Sequence, residues 1–215
     1  MHIIDAALTN DVVIAGGVLT VAGLGLGLRK LDMDLIPAAG VLSATFFVAS
    51  LIHVPIGPSS VHLIMNGLAG LILGWAAFPA LFVGLLLQAI FFAFGGITVL
   101  GVNAVNIAGP AVIVGLLFRP FVIGASSAIK AAIFGGLAGA LAISLTTLFV
   151  GISLALSEES LIPAVKLVFL AHIPVMVIEG LLSAAAVYLI YTVKPELFQV
   201  MSQLNMRQVD TEERS

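Results

Sequence analysis

Histidine stands at four positions of this chain, His2, His53, His62 and His172, and cysteine at none. Thiolate metal sites, disulfides and thiol nucleophiles are thereby excluded. The first two residues have the richest chemistry. The opening Met1-His2-Ile3-Ile4-Asp5 has no basic segment ahead of an apolar run, and the first basic residue is Arg29. It does not read as a secretory signal, and a bulky His2 hinders removal of Met1. A free amine at Met1 is therefore expected. That amine and the amide nitrogen of His2 close a five-membered chelate ring; the amide and the His2 Nδ1 close a six-membered one. A strongly polarising ion displaces the amide proton and gains three coplanar nitrogens, and a fourth completes a square. Such a set favours Ni(II) or Cu(II) over Zn(II), which prefers a tetrahedron. His62, in Pro58-Ser59-Ser60-Val61-His62, is the first candidate for the fourth nitrogen. His53 is the alternative, either as ligand or as a group that orients one, with Ser60 beside the site.

Other polar residues lie in apolar surroundings. Gly95-Gly96 through Asn103 and Asn106 forms a glycine- and asparagine-containing segment. The two asparagines, three apart, share a helix face. They serve either to cap a helix or to hydrogen-bond an imidazole. His172 and Glu179, seven apart, lie on one face two turns apart. Ionisable groups at membrane depth mark pairing or function. Each is expected to meet a polar partner on another helix, with Gln88 a candidate. Pairing is favoured over a proton relay. Ser59 and Ser60 have no nucleophile elbow around them. The glycine pattern is not followed by Lys-Ser or Lys-Thr, so a Walker-type ATPase is excluded.

These residues must be placed by helices in a bilayer. The 215 residues are 61% hydrophobic and only 9% charged, against about a quarter charged in soluble domains. The class is all-α, a polytopic membrane bundle. Spans need about 20 apolar residues. Seven candidates are Val12 to Leu28, Ile36 to Leu51, Val61 to Trp75, Pro79 to Phe94, Val105 to Leu117, Ser126 to Leu156 and Leu161 to Thr192. Arg29, Lys30, Arg119, Lys130, Lys194, Arg207 and Arg214 fall on one side and only Lys166 on the other. Basic residues mark the cytoplasm, so the N-terminus is expected outside and the C-terminus inside. Residues 1–197 read as one membrane domain and 198–215 as a short polar cytoplasmic tail. The net charge of −3 gives no field for nucleic acid.

The opening Met1-His2-Ile3-Ile4-Asp5 resembles that of the CbiM/NikM family, the substrate-binding membrane subunits of energy-coupling-factor cobalt and nickel transporters. Ser59-Ser60-Val61-His62-Leu63 is similar to its histidine segment, and Gly95-Gly96 through Asn106 to its glycine- and asparagine-containing loop. His172, Glu179-Gly180 and Lys194-Pro195-Glu196-Leu197 resemble its last span and exit. The order is kept from Met1 to Leu197. The family's common opening has Pro where Ile4 stands and Gly where Ala6 stands, which alters local stiffness rather than a ligand. The resemblance implies a square-planar site from the Met1 amine, the His2 amide and imidazole, and the His62 imidazole. It also implies six core helices plus an N-terminal one, in a prokaryotic inner membrane. Its partners would be a transmembrane coupling subunit, two ATPase subunits and a small accessory membrane subunit. The chain itself would be a transport subunit for Ni(II) or Co(II), not an enzyme, with nickel slightly favoured. The rival readings are a vitamin-binding subunit of the same architecture and an intramembrane serine hydrolase.

Overall fold

The computed structural model describes residues 2–5, 7–51, 53–56 and 59–194. Within them the chain forms helices α1 (Asn10–Arg29), α2 (Ile36–Ala49), α3 (Asn66–Leu73), α4 (Ala77–Phe92), α5 (Leu100–Ile123), α6 (Ala128–Ser157) and α7 (Ile162–Val193). A small antiparallel hairpin, β1 (His53–Ile56) with β2 (Ser59–His62), sits between α2 and α3 and sets His53 opposite His62. The expectations for Met1 and for residues 195–215 lie outside the described residues.

Each apolar stretch of the sequence yields a helix, with two boundary corrections. The third stretch, read from Val61, does not begin as a helix. Val61 and His62 close β2, and Met65 takes a left-handed φ of 56°, so helix α3 starts only at Asn66. Branched residues on either side of Pro55 suit a short strand pair. The fifth stretch, read as Val105 to Leu117, is longer: α5 runs from Leu100 to Ile123 with Pro110 and Pro120 inside it. Proline is tolerated there because neighbouring helices and local adjustment satisfy the freed carbonyls.

By length and composition, 10–29, 66–92, 100–123, 128–157 and 162–193 can cross a membrane; 33–49 is a shorter apolar helix. The 66–92 stretch is broken by a 3-10 turn, Gly74–Ala76. The outward faces are apolar too: Val18, Val21, Ile133, Leu137, Leu170 and Leu181 are among the large side chains left exposed. Such a surface suits lipid rather than water. The molecule is a multi-pass helical membrane protein.

The centre of the bundle is α3, in which every residue is buried. It begins beside Ile107 and Thr146, which take the two bonds of the Asn66 side-chain amide at 2.9 Å each. It ends at Gly74, against the Arg119 guanidinium. Helix α3 therefore runs the same way as α5. Helix α4 starts against Gly27, through Pro79, and finishes near Phe94. Close backbone approach makes the packing possible: a Cβ at Gly67 would stand 2.8 Å from the Gly139 Cα, and one at Gly70 would run into the Ala111 carbonyl. One end of this bundle gathers residues 2–5, strands β1 and β2, and the start of α5. The site is there.

Candidate metal centre

The first described residues form a strap laid across that end. Ile3 is fully buried. Its main chain is gripped by one side chain from the first turns of α5: Asn103 Oδ1 accepts the Ile3 N–H at 2.9 Å, and Asn103 Nδ2 donates to the Ile3 carbonyl at 3.0 Å. The loop from α4 to α5 lies beneath it. Gly95 (φ 78°) and Gly96 (φ 89°) take left-handed backbone that favours glycine. A Cβ on Gly95 would stand 2.6 Å from Asn103 Nδ2 and 3.3 Å from the His2 Cβ; one on Gly96 would overlap the Asp5 carboxylate. Thr98 donates its hydroxyl to Asp5 and fastens the outer end of the strap.

The strap carries His2 into a buried pocket against His62. The two rings stack with centroids 4.8 Å apart and planes at 27°. Phe94 lies 6.3 Å from the His2 ring on a similar tilt, and meets His53 edge-on at 4.3 Å. The hairpin register explains the convergence: directly opposed residues point to the same face, so His53 stands beside the His62 position. His62 Nδ1 sits 2.7 Å from the Leu63 carbonyl. That bond assigns the proton to Nδ1 and the lone pair to Nε2. Neither ring nitrogen of His2 has a well-formed hydrogen bond among the described residues. The His2 N–H donates to Ser60 Oγ at 3.3 Å.

Both imidazoles are electrically neutral near pH 7. Burial first, then the neighbouring His53, lowers His2 to about 4, against a small opposing effect of the nearby Gln88. Burial likewise lowers His62 to about 4, offset in part by the Leu63 carbonyl and reinforced by His172. Neutral imidazoles in a buried pocket are nitrogen donors suited to a transition metal.

The remaining polar residues resolve differently from expectation. Asn103 neither caps α5 nor bonds an imidazole; it holds main chain. Asn106 takes a bond from Ser153 Oγ at 3.2 Å. The first residue before α5 is Val99, with no side-chain cap. His172 does not reach across to another helix for its bond: its Nδ1 bonds Val168 O on its own helix at 2.7 Å. Glu179 does cross over, but to main chain, accepting from Met65 N at 2.9 and 3.0 Å and from Ile64 N. Gln88 pairs with neither His172 nor Glu179. Its Nε2 bonds Ser50 Oγ, where α2 ends. Residues missed in the sequence are Phe94, whose ring bridges two histidines, and Ser50; an aromatic after a helix end and a serine in an apolar run carry no distinctive spacing.

An apolar multi-pass bundle with two neutral imidazoles stacked under a clamped N-terminal strap is a membrane protein with a nitrogen-donor pocket at one end. Residues 2–197 match the family model for the cobalt uptake substrate-specific transmembrane region, and the chain belongs to that family, CbiM. A putative metal transport protein of Haemophilus influenzae is 42% identical over 209 residues, covering 92% of this chain and 96% of that protein. The fused nickel transport protein NikMN of Rhodobacter capsulatus is 41% identical over 120 residues, 52% of this chain and 35% of its own length. The crystal structure of a transition metal transporter superposes with a TM-score of 0.70 at 24% identity, covering 95% of this chain and 99% of that one. That last likeness concerns the fold.

Proposed function

We propose that this chain is the substrate-capturing membrane subunit of an energy-coupling-factor importer for Ni(II) or Co(II). The ion is taken from the extracytoplasmic side into a square-planar site made by the Met1 amine, the His2 amide nitrogen, His2 Nδ1 and the His62 imidazole. The observation that supports this most directly is the stacking of the His2 and His62 rings at 4.8 Å beneath a strap whose main chain is clamped. Among the described residues no three His, Asp or Glu side chains gather as a metal cluster. In this reading main-chain nitrogen supplies the remaining donors. The His2 N–H, which donates to Ser60 Oγ, carries the proton that coordination through the amide would remove. A planar nitrogen set favours nickel.

The wider assembly belongs to the same reading. The seven helices lie in the membrane, with the strap outside. Residues 1–197 act as one membrane domain and 198–215 as a polar cytoplasmic tail. ATP is hydrolysed by two partner subunits, coupled through a transmembrane subunit, with a small accessory membrane subunit alongside.

Calorimetric titration with Ni(II) tests the site. Three extra residues before Met1 convert the primary amine into a peptide nitrogen and carry the histidine beyond the reach of the new terminus's chelate rings, and should abolish tight binding, as should His62→Ala. Undiminished affinity in the extended protein overturns the chelate.

A further inference from the structure

Helix α7 is a peripheral helix. Its buried residues are Val168, His172, Val175, Glu179, Ser183 and Val187, a single stripe at three- and four-residue spacing. A carboxylate on such a stripe is expensive at membrane depth, so what it holds matters. Glu179 is fully buried. Both of its oxygens accept main-chain N–H groups, from Ile64 and Met65, in the turn that joins β2 to α3.

The Ile64 N–H and the Leu63 carbonyl belong to one peptide group. That group therefore does two things at once. Its N–H is held by Glu179, and its oxygen is the partner of His62 Nδ1 at 2.7 Å. The peptide is planar and stiff, so fixing one side fixes the other. An N–H engaged by a carboxylate also makes its carbonyl a stronger acceptor, because linked hydrogen bonds polarise one another. A metal-bound histidine commonly leans on a carboxylate or carbonyl through its second nitrogen, which sets tautomer, ring angle and donor strength. Here the two kinds of support stand in series.

Resting on the metal-capture reading above, we propose that Glu179 is the positioning residue of His62, acting through the Leu63–Ile64 peptide to hold the proton on Nδ1 and aim Nε2 at the ion. The left-handed Met65 (φ 56°) fits this role. A non-glycine residue in that region is strained and persists only where surroundings fix it, and Met65 gives its N–H to both carboxylate oxygens. Helix α7 thereby reaches the ligand from its one buried stripe.

The test uses the full chain in detergent, with Glu179→Ala and Glu179→Gln beside the wild type. In metal-free protein, nitrogen NMR of the histidine rings should show His62 protonated at Nδ1. Glu179→Ala should shift it toward a mixture of tautomers and speed amide exchange at Ile64 and Met65. Ni(II) affinity should fall by roughly 10–100-fold, with a changed ligand-field spectrum. Glu179→Gln keeps an acceptor without the charge and should fall between. If Glu179→Ala does not fold, Glu179→Gln decides on the same measurements. An unchanged His62 tautomer and unchanged Ni(II) affinity in the folded variants overturn the proposal. The tautomer and exchange measurements need no metal. Loss of the relay and loss of the chelate are thus read separately: a wild type with the expected tautomer but no affinity for Ni(II) sinks the metal reading alone.

Discussion

Asn103 binds the main chain of Ile3 as a neighbouring strand would, with one acceptor and one donor on a single side chain and 100 residues between the partners. A carboxamide supplies both at that spacing in fixed roles, whereas an ionised carboxylate only accepts. Both Ile3 groups are buried, so an unmatched pair costs about 1–3 kcal/mol for each group. Asn103→Asp keeps the acceptor but sets a second one against the Ile3 carbonyl. Asn103→Ala removes both. The Asp variant should lose at least as much Ni(II) affinity as the Ala variant, on the order of 10-fold or more, with helix content by circular dichroism unchanged. Equal affinity in wild type and Asp variant would show that the clamp does not hold the strap.

Gly95 tests the surface under the strap. Its φ of 78° and the 2.6 Å approach of Asn103 Nδ2 leave no room for a methyl group. Gly95→Ala should cost about 1–3 kcal/mol in backbone strain and push Asn103 and His2 out of place together. The expected result is weak Ni(II) binding in a protein that still elutes as a single species. Binding at the wild-type level would mean that the loop relaxes without disturbing His2.

Much of this is legible in the residues, for physical reasons that can be stated. Continuous apolar runs report burial in lipid, so all seven helical stretches stand out. The hairpin does not, because Val54, Ile56 and Val61 lie beside a run of the same hydrophobicity, and periodicity over four residues cannot separate strand from helix. The convergence of His2 and His62 comes from ligand chemistry, which needs no local pattern. The roles of Asn103 and Glu179 are hidden. Both serve main chain, at separations of 100 and 115 residues, and a main-chain partner leaves no mark on the sequence. The same blindness points Gln88 toward His172 and Glu179, when its partner is Ser50.

The two buried imidazoles give a sign for pH. Each is lowered from 6.5 to about 4 in the folded protein, so the folded state resists protons that the unfolded chain accepts. Stability of the metal-free protein should be level above about pH 6.5 and fall as pH drops from there toward 4. The loss approaches roughly 3 kcal/mol per histidine, at 1.36 kcal/mol per pH unit. Thermal unfolding in detergent between pH 8 and pH 4 checks this. His2→Gln with His62→Gln should flatten the acid limb; an acid limb of undiminished steepness would place the effect elsewhere.

Glycines that look alike in the sequence should behave oppositely. A Cβ on Gly70 would overlap the Ala111 carbonyl, and one on Gly115 would overlap the Gly70 carbonyl, so α3 and α5 touch backbone to backbone. A Cβ on Gly25 or Gly40 meets nothing within 4 Å. Overpacking a close-packed interior costs about 1–3 kcal/mol, occasionally more, and here the obstacle is main chain that cannot rotate aside. Gly70→Ala must spread the two helices, and α5 carries Asn103 while α3 comes directly after the turn held by Glu179. Its effect should therefore appear twice, as a lower thermal midpoint in detergent and as weaker Ni(II) binding. Gly25→Ala should leave both unchanged, or raise the midpoint slightly, since alanine favours helix by up to about 1 kcal/mol over glycine. A Gly70→Ala protein with wild-type midpoint would contradict the close approach of α3 and α5, and with it the placement of the two helices that bring the strap and the His62 turn together.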